Sequence, residues 1–158
     1  MNKVRIAVVL VKGEIRVKYQ VKQTLAMFHL YRRNNCSIID LTPVTAGMLA
    51  KVKDMVTWGE IDKETFKLLL EKRGKLPGNK PLTSDYLKEK LKSDFDSFTQ
   101  DFMSFKKELK DIPGLKKFFR LDPPTHGFDR KGIKVPYSLG GALGYRKEKI
   151  NDLVKRMI

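Results

Sequence analysis

Residues 42–61, TPVTAGMLAKVKDMVTWGEI, encode a helix and a strand in direct succession. Thr42 can cap a helix through its hydroxyl, and Pro43 suits the first helical position, where no N–H is needed. Apolar side chains then recur every three to four residues and predict one buried helix face: Val44, Met48, Leu49 and Val52. The β-branched and aromatic residues at 55–58 predict a strand that ends at Gly59. Such a pair requires a sheet on which the helix can pack.

The preceding residues predict two more strands and one more helix. Residues 4–11, VRIAVVLV, are apolar at almost every position after Arg5, which predicts a central strand buried on both faces. A helix is predicted from residue 20 to about residue 31, with an inner face made by Val21, Leu25, Met27, Phe28, Leu30 and Tyr31. Residues 36–41 predict a second strand. The resulting β-α-β-α-β order predicts an α/β sandwich of one sheet and two helices.

Residues 61–113 predict a helical insertion after this core. Helices are expected from residue 62 to about 73, from about 84 to 92, and after Ser97, whose spacing to Gln100 is typical of a capping box. A phenylalanine-rich stripe on the last of these helices predicts core packing. The chain is thus divided into a core at 1–60, an insertion at 61–113 and a basic extension at 114–158.

The extension begins with a predicted edge strand at 118–121 and ends with a predicted helix at 146–157. Between them, residues 123–144 are rich in glycine and proline and show no helical or strand period. Ordering such a segment costs about 1–2 kcal/mol of backbone entropy per residue, and few apolar residues are present to offset it. We therefore expect it to be mobile in the free protein or held by a large external surface such as RNA.

The net charge of +15 is unevenly distributed along the chain. Residues 1–60 hold 10 Lys/Arg against 4 Asp/Glu and residues 114–147 hold 8 against 2, whereas residues 61–113 hold 12 against 10. This concentration predicts two surfaces that face one polyanion, and nucleic acid is the leading candidate. The sequence has no run of about 18 apolar residues and no signal-peptide layout, and Cys36 is its single cysteine, so we expect a cytoplasmic protein without membrane contact.

Cations near the ends of the predicted core elements are candidate RNA contacts. A cluster after the first strand either grips phosphates or forms an ordinary solvated face: Lys12, Arg16, Lys18 and Lys22. Arg32 and Arg33 follow the first helix, where positive charge also favours the helix dipole. Asn35 fits either a contact with a base or sugar or a simple turn. Lys51 and Arg120 complete the candidates outside the glycine-rich segment.

The extension supplies further candidates. Its glycines permit close approach to phosphates, and charge comes from Arg130, Lys131, Lys134 and Arg146. His126 and Tyr145 are predicted to stack on unpaired bases. The alternative is a flexible loop with ordinary turn glycines. The glycines at 140–144 lack the strand and the Gly-Lys-Ser/Thr ending of a phosphate-binding loop, so we predict no nucleotide cofactor.

Catalysis has little support in the sequence. His29 and His126 are the only histidines and Cys36 is the only thiol, and their spacing is not that of a zinc or iron site. The carboxylates are mostly interleaved with lysines on helix faces. We therefore predict no enzymatic activity, no metal, no cofactor and no small-molecule substrate.

Three runs of sequence carry a resemblance to a known family. They are the TP, Gly-Met, Lys-Val and VTWG series within residues 42–59, TLAMFHLYRRNNC at 24–36, and FRLDPPTHGFDRKG with GGALGYR between 119 and 146. In their order along the chain, these runs resemble the large-subunit ribosomal protein L-thirty family in its long archaeal form, which is related to the eukaryotic protein L-seven. The resemblance implies a ferredoxin-like core with the first strand in the middle of the sheet.

The same resemblance implies a structural role in the large ribosomal subunit and hence in translation. Its implied partners are the large-subunit rRNA, with 5S rRNA nearby, and neighbouring ribosomal proteins. The alternative is a free-standing RNA-binding regulator or an assembly factor, which would share the charge pattern without being a stoichiometric part of the subunit.

Overall fold

The strand β1 (Arg5–Leu10) lies in the middle of a five-stranded sheet, in a computed structural model that describes residues 4–158. All of its residues are buried, which confirms that it is covered on both faces. Its neighbours are β2 (Asn35–Asp40) and β3 (Val56–Glu60), and both run antiparallel to it. The central place of the first strand is therefore confirmed.

Two short strands complete the sheet at its edges. The strand β4 (Phe118–Arg120) pairs antiparallel with β2, which confirms the predicted edge strand. The strand β5 (Gly144–Tyr145) pairs parallel with β3. It was not predicted, because two residues are too few to show a strand period. The order across the sheet is β4-β2-β1-β3-β5.

Alternate residues of β1 face two separate apolar clusters. Ile6, Val8 and Leu10 pack with side chains of the helices α1 (Tyr19–Met27) and α2 (Pro43–Val52). The α2 helix begins as predicted, with a capping box in which Thr42 and Thr45 exchange hydrogen bonds with each other's backbone N–H. The two predicted core helices therefore share one face of the sheet.

The opposite face is covered by the two later segments. Ala7 and Val9 contact a larger cluster. Its side chains come largely from four helices: α3 (Lys63–Arg73), α4 (Ser84–Leu91), α5 (Phe95–Met103) and α6 (Ile150–Met157). The fold is thus the expected mixed α/β fold with a ferredoxin-like core, to which the insertion and the terminal helix add a third layer.

Some predicted boundaries and buried faces are wrong. The first helix ends at Met27 instead of near residue 31, because His29 adopts a left-handed φ of 58° that interrupts it. Met27 and Tyr31 are 66% and 48% exposed, so they do not lie on the inner face. Val44 is 72% exposed, since it lies in the first turn of α2, ahead of the residues that pack on the sheet.

Two further predictions are corrected by backbone geometry. Gly59 lies within β3 instead of ending it, and a Cβ there would be 1.9 Å from the carbonyl oxygen of Lys147, so the strand needs glycine for this close approach. The helix α5 begins at Phe95, because Asp94 has the extended conformation of an N-cap residue. Ser97 is therefore inside the helix and is not its cap.

The glycine-rich segment is held by contacts within the chain. Ala142 and Leu143 are buried against Val11, and Phe128 and Ile133 pack on the same cluster. Backbone hydrogen bonds cross the segment between residues 131 and 140, 132 and 142, and 137 and 143. The prediction that the segment has too few apolar contacts to hold itself is therefore wrong. Sequence reasoning overlooked these apolar residues because they are too widely spaced to show a helical or strand period.

Candidate nucleic-acid interface

The predicted binding residues converge on one end of the sheet. Because β2 and β3 are antiparallel to β1, they begin where β1 ends. The strand β4 is antiparallel to β2 and β5 is parallel to β3, so β4 also ends there and β5 begins there. We call this part of the molecule the basic end; it consists of residues 11–22, 32–35, 51–55 and 120–145.

The loop after β1 and the segment before β2 meet at the basic end. Lys12 is half-buried, and the neighbouring cations of the loop and of the first turn of α1 are exposed: Arg16, Lys18 and Lys22. The backbone N–H of Asn34 donates to the carbonyl oxygen of Leu10 at 2.8 Å, which ties the two segments together. Arg32 and Arg33 are exposed beside this contact.

The connections to β3 and β4 bring two more candidates to the same end. Lys51 is exposed in the last turn of α2. The residues after α2 contact the end of β1, because the N–H groups of Val11 and Lys12 donate to the carbonyl oxygen of Met55 at 3.0 and 3.1 Å. Arg120 is exposed on β4 directly opposite Asn35 of β2.

Four candidate residues of the extension are exposed at the basic end as well. His126, Arg130, Lys131 and Lys134 are all exposed. They belong to the segment whose apolar residues pack on Val11, at the end of β1. The structure therefore brings the candidates of the core and those of the extension together, although they lie far apart in the sequence.

Ion pairing distinguishes the basic end from the insertion. Within residues 4–158, none of the exposed candidate cations lies within 4.0 Å of a carboxylate. In the insertion, by contrast, many cations are paired: Lys67, Arg73, Lys88, Lys90, Lys107 and Lys110. Cations without internal partners leave a positive field that attracts a polyanion.

Arg146 is placed differently from its prediction as an RNA contact. It is 3% exposed, and its guanidinium donates to Thr57 Oγ1 (2.8 Å), Asp129 Oδ2 (2.8 Å) and the carbonyl oxygen of Ala142 (3.0 Å). Its Cζ also lies 4.6 Å from the centroid of the Tyr137 ring. Because its donors are used inside the protein, we exclude Arg146 from the interface and assign it to fixing the extension on β3.

Two other predicted RNA contacts, Tyr145 and Asn35, also make contacts within the protein. Tyr145 is 47% exposed, and its hydroxyl donates to Glu60 Oε1, a hydrogen bond that raises the pKa of Tyr145 to about 12. The centroid of its ring lies 6.4 Å from that of Trp58, and the two rings are tilted by 33°. Asn35 is 2% exposed at the start of β2, and its backbone N–H donates to the carbonyl oxygen of Arg32 at 3.1 Å, so it closes the turn that precedes this strand.

Sequence reasoning missed several residues of this candidate interface. Tyr19 and Lys53 are exposed within or beside the basic end. Lys75 of the insertion and Lys116, just after the insertion, line a cavity with Arg120. Tyr19 stands beside Lys18, and an aromatic residue interleaved with cations is a signal that could have identified it. The lysines could be found only from the fold.

The structure shows the surroundings of Cys36, the single thiol of the sequence. Cys36 is fully buried, and burial raises the pKa of its thiol to about 12, so the thiol remains protonated at neutral pH. Within residues 4–158, no cluster of three or more His, Cys, Asp or Glu side chains is arranged to hold a metal ion. None of the helices in that range has the length and apolar character to cross a membrane.

Comparisons with known proteins give the family. Residues 6–56 match the family model described as "Ribosomal protein L30p/L7e". The chain is 49% identical to "Large ribosomal subunit protein uL30" of Methanopyrus kandleri over 93% of this chain and 99% of that relative. It is 47% identical to the protein of the same name from Methanococcus vannielii (96% and 98%) and 44% identical to that of Nanoarchaeum equitans (96% and 97%). The chain therefore belongs to the ribosomal protein L30p/L7e family.

Proposed function

We propose that the chain is a structural constituent of the large ribosomal subunit and binds the large-subunit rRNA through the basic end. The observation that carries this proposal is the convergence of exposed cations without ion pairs, from both the core and the extension, on one end of the sheet. The names of the relatives, large ribosomal subunit proteins, support the same assignment. The place of action is then the ribosome in the cytoplasm, and the role is non-catalytic.

The physical basis of binding is the neutralisation of phosphates. Each lysine or arginine that contacts a phosphate releases condensed counterions, which makes the affinity depend steeply on salt. The contacts of Arg146 and the packing around Val11 hold the extension before binding. Little conformational entropy is then lost when the extension meets RNA, so more of the electrostatic free energy is available for affinity.

Further partners in this proposal are neighbouring ribosomal proteins and 5S rRNA. Surfaces outside the basic end remain available to them. Exposed apolar side chains on α1 and α2, Met27 and Val44, are suited to contacts with protein, since apolar side chains gain from leaving water.

Sedimentation of cell lysate tests the proposal. The chain, detected by antibody in a sucrose gradient, should travel with large subunits at about one copy per subunit. A free-standing regulator would remain near the top of the gradient or appear there in variable, substoichiometric amounts. Absence from the large-subunit fractions, together with no binding of the purified protein to deproteinised large-subunit rRNA, would overturn the proposal.

A further inference from the structure

A cavity of about 470 Å³ opens beside the edge strand β4, at the border of the basic end. Tyr31 and Phe118 line it, and their rings meet edge to face with centroids 5.7 Å apart. Asn35 also lines it, opposite Arg120 in the pairing of β2 with β4. The volume falls in the range of about 300–1,000 Å³ that is usual for sites that enclose a small organic group.

Asn35, one of the residues that line the cavity, carries an unsatisfied hydrogen-bonding group. Its side-chain Oδ1 is buried and has no hydrogen-bond partner among the described residues, and the whole residue is only 2% exposed. Buried polar atoms are nearly always paired, and an unpaired one lowers the stability of the free protein. A ligand with an N–H group would supply the missing donor.

The charges around the cavity have a single sign. Its lining includes four cations and no Asp or Glu: Arg32, Lys75, Lys116 and Arg120. None of these four is within 4.0 Å of a carboxylate in the part of the chain that the structure describes, and the ammonium group of Lys116 donates instead to Asn79 Oδ1 at 2.7 Å. A second cavity, of about 300 Å³, lacks this character because Asp40 and Glu108 also line it.

The cavity offers a partner for each part of a nucleotide. The aromatic rings suit the base, the buried acceptor suits the base edge, and the cations suit the phosphates. Proteins read single-stranded RNA by stacking unpaired bases on aromatic rings and by hydrogen bonds to base edges, while cations hold the phosphates. An acidic peptide would satisfy the cations, but it has no need for an aromatic wall beside a buried amide. The combination therefore favours a nucleotide over a carboxylate-bearing chain.

We propose that this cavity receives one unpaired nucleotide of the large-subunit rRNA. The base lies against Tyr31 and Phe118 and donates an N–H to Asn35 Oδ1, and the flanking phosphates contact Arg32, Lys116 and Arg120. This inference rests on the proposed function and adds to it a specific contact with single-stranded RNA. It also gives the insertion a role, because Lys75 of the insertion and Lys116, which follows it, complete the cavity wall.

Chemical footprinting with base-specific reagents on deproteinised large-subunit rRNA tests the proposal. Wild-type protein should protect at least one base that is unpaired in the free RNA, and Asn35→Leu should restore its reactivity. We expect the variant to weaken RNA binding about five- to tenfold, the equivalent of one lost hydrogen bond. Its midpoint of urea unfolding should stay the same or rise, because an unpaired buried polar atom has been removed. A variant that loses RNA binding through misfolding would lower that midpoint.

Ser37→Ala is the matched control, because Ser37 is a buried polar residue of the same strand that lies outside the cavity lining. It should leave the footprint unchanged. The paired variant Lys116→Gln/Arg120→Gln should lose the same protected base as Asn35→Leu, whereas Lys88→Gln/Lys90→Gln in α4 should retain it. The cavity assignment is overturned if wild type binds the rRNA but Asn35→Leu gives the same footprint. The proposed function fails separately, if wild type protects nothing.

Titration with the four nucleoside 5′-monophosphates tests whether the cavity binds a nucleotide of RNA or a free nucleotide. Shifts of the Asn35 side-chain amide resonance report occupancy of the cavity in NMR titrations. Nucleotide that is displaced by stoichiometric large-subunit rRNA supports the proposal. Nucleotide that stays bound alongside the rRNA overturns it, since the cavity would then serve a free nucleotide.

Discussion

The Nε of Arg146 donates to the Oγ1 of Thr57 at 2.8 Å, and that hydroxyl donates in turn to the carbonyl oxygen of Gly144 at 2.9 Å. The same guanidinium contacts Asp129 and Ala142. One buried side chain thus connects β3, β5 and the glycine-rich segment of the extension. The shape of that segment depends on a residue that the charge pattern alone had suggested for RNA binding.

Arg146→Met should release residues 128–143 and lower the free energy of unfolding. Removing one partner of a buried ion pair costs on the order of 3 kcal/mol, because the remaining charge loses its partner. Arg146→Lys should also fail, since an ammonium group cannot reproduce the forked geometry of a guanidinium. Urea unfolding and hydrogen exchange of residues 128–143 measure both effects.

Lys149→Met is the control for the two Arg146 variants, because Lys149 is exposed near the start of α6. Its unfolding free energy should stay within about 0.5 kcal/mol of wild type. Full protection of residues 128–143 in Arg146→Lys would contradict the requirement for the forked guanidinium, because positive charge without that geometry would then be sufficient.

Gly59→Ala should destabilise the protein, whereas Gly47→Ala should not. A Cβ at residue 59 would lie 1.9 Å from the carbonyl oxygen of Lys147, so either β3 or the start of α6 must move, at about 1–3 kcal/mol. At Gly47, inside α2, no atom other than those of its chain neighbours and the surrounding helix backbone lies within 4 Å of the added Cβ, and alanine should stabilise the helix by about 0.5–1 kcal/mol. Urea unfolding compares the two, and equal effects would show that the contact at Lys147 is absent.

The stability of the protein should fall between pH 7.5 and pH 5, in part through His29. Burial and then the nearby Lys117 lower the pKa of His29 below its ordinary value. The unfolded chain therefore takes up a proton on this residue at a higher pH than the folded chain does. The stabilisation is present above the unfolded pKa of about 6.5 and is lost as the pH falls through the folded pKa.

His29→Asn should remove this part of the pH dependence, and asparagine tolerates the left-handed φ of 58° at this position. His126→Asn is the matched control, because it makes the same change at an exposed histidine with a φ of 64°. Urea unfolding at a series of pH values gives the comparison. A pH dependence in His29→Asn that is as steep as in wild type, or steeper, would contradict the assignment.

Cys36 should resist thiol reagents in the folded protein. Its thiol is fully buried and burial raises its pKa to about 12, so neither access nor thiolate is available at pH 8. Labelling with a disulfide reagent should proceed only at the rate of unfolding. The variant Ser138→Cys, which places a second thiol at an exposed position, should react rapidly at one site per molecule. Two rapid sites would show that Cys36 is accessible.

The core could be predicted from the sequence because its signals are local and strong. The unbroken apolar run of β1 predicted its central position, and the cap at Thr42 predicted the start of α2. The edge strand β4 and the buried face of α6 were also predicted, since each shows a short but clear pattern.

The rest depends on contacts between distant residues, which a local pattern does not show. Nothing beside Gly59 in the sequence indicates the close approach of Lys147. Arg146 looks like any other cation of the extension until Thr57 and Asp129 are seen around it. Likewise, the cavity at Asn35 exists only because Lys75 and Lys116 return to the edge of the sheet.

The salt dependence of rRNA binding by two charge-matched variants tests the central claim most directly. The first carries Arg16→Gln, Lys18→Gln and Arg33→Gln at the basic end, and the second carries Lys88→Gln, Lys90→Gln and Lys106→Gln in the insertion. Both lose the same net charge, so a general effect of charge would alter them equally.

We expect the basic-end variant to bind more weakly and its slope of log affinity against log salt to fall by about 2–3, since each lost phosphate contact removes about one. The insertion variant should keep the wild-type slope. Equal slopes in the two variants would contradict the account, because the basic end would then not be the surface that meets RNA.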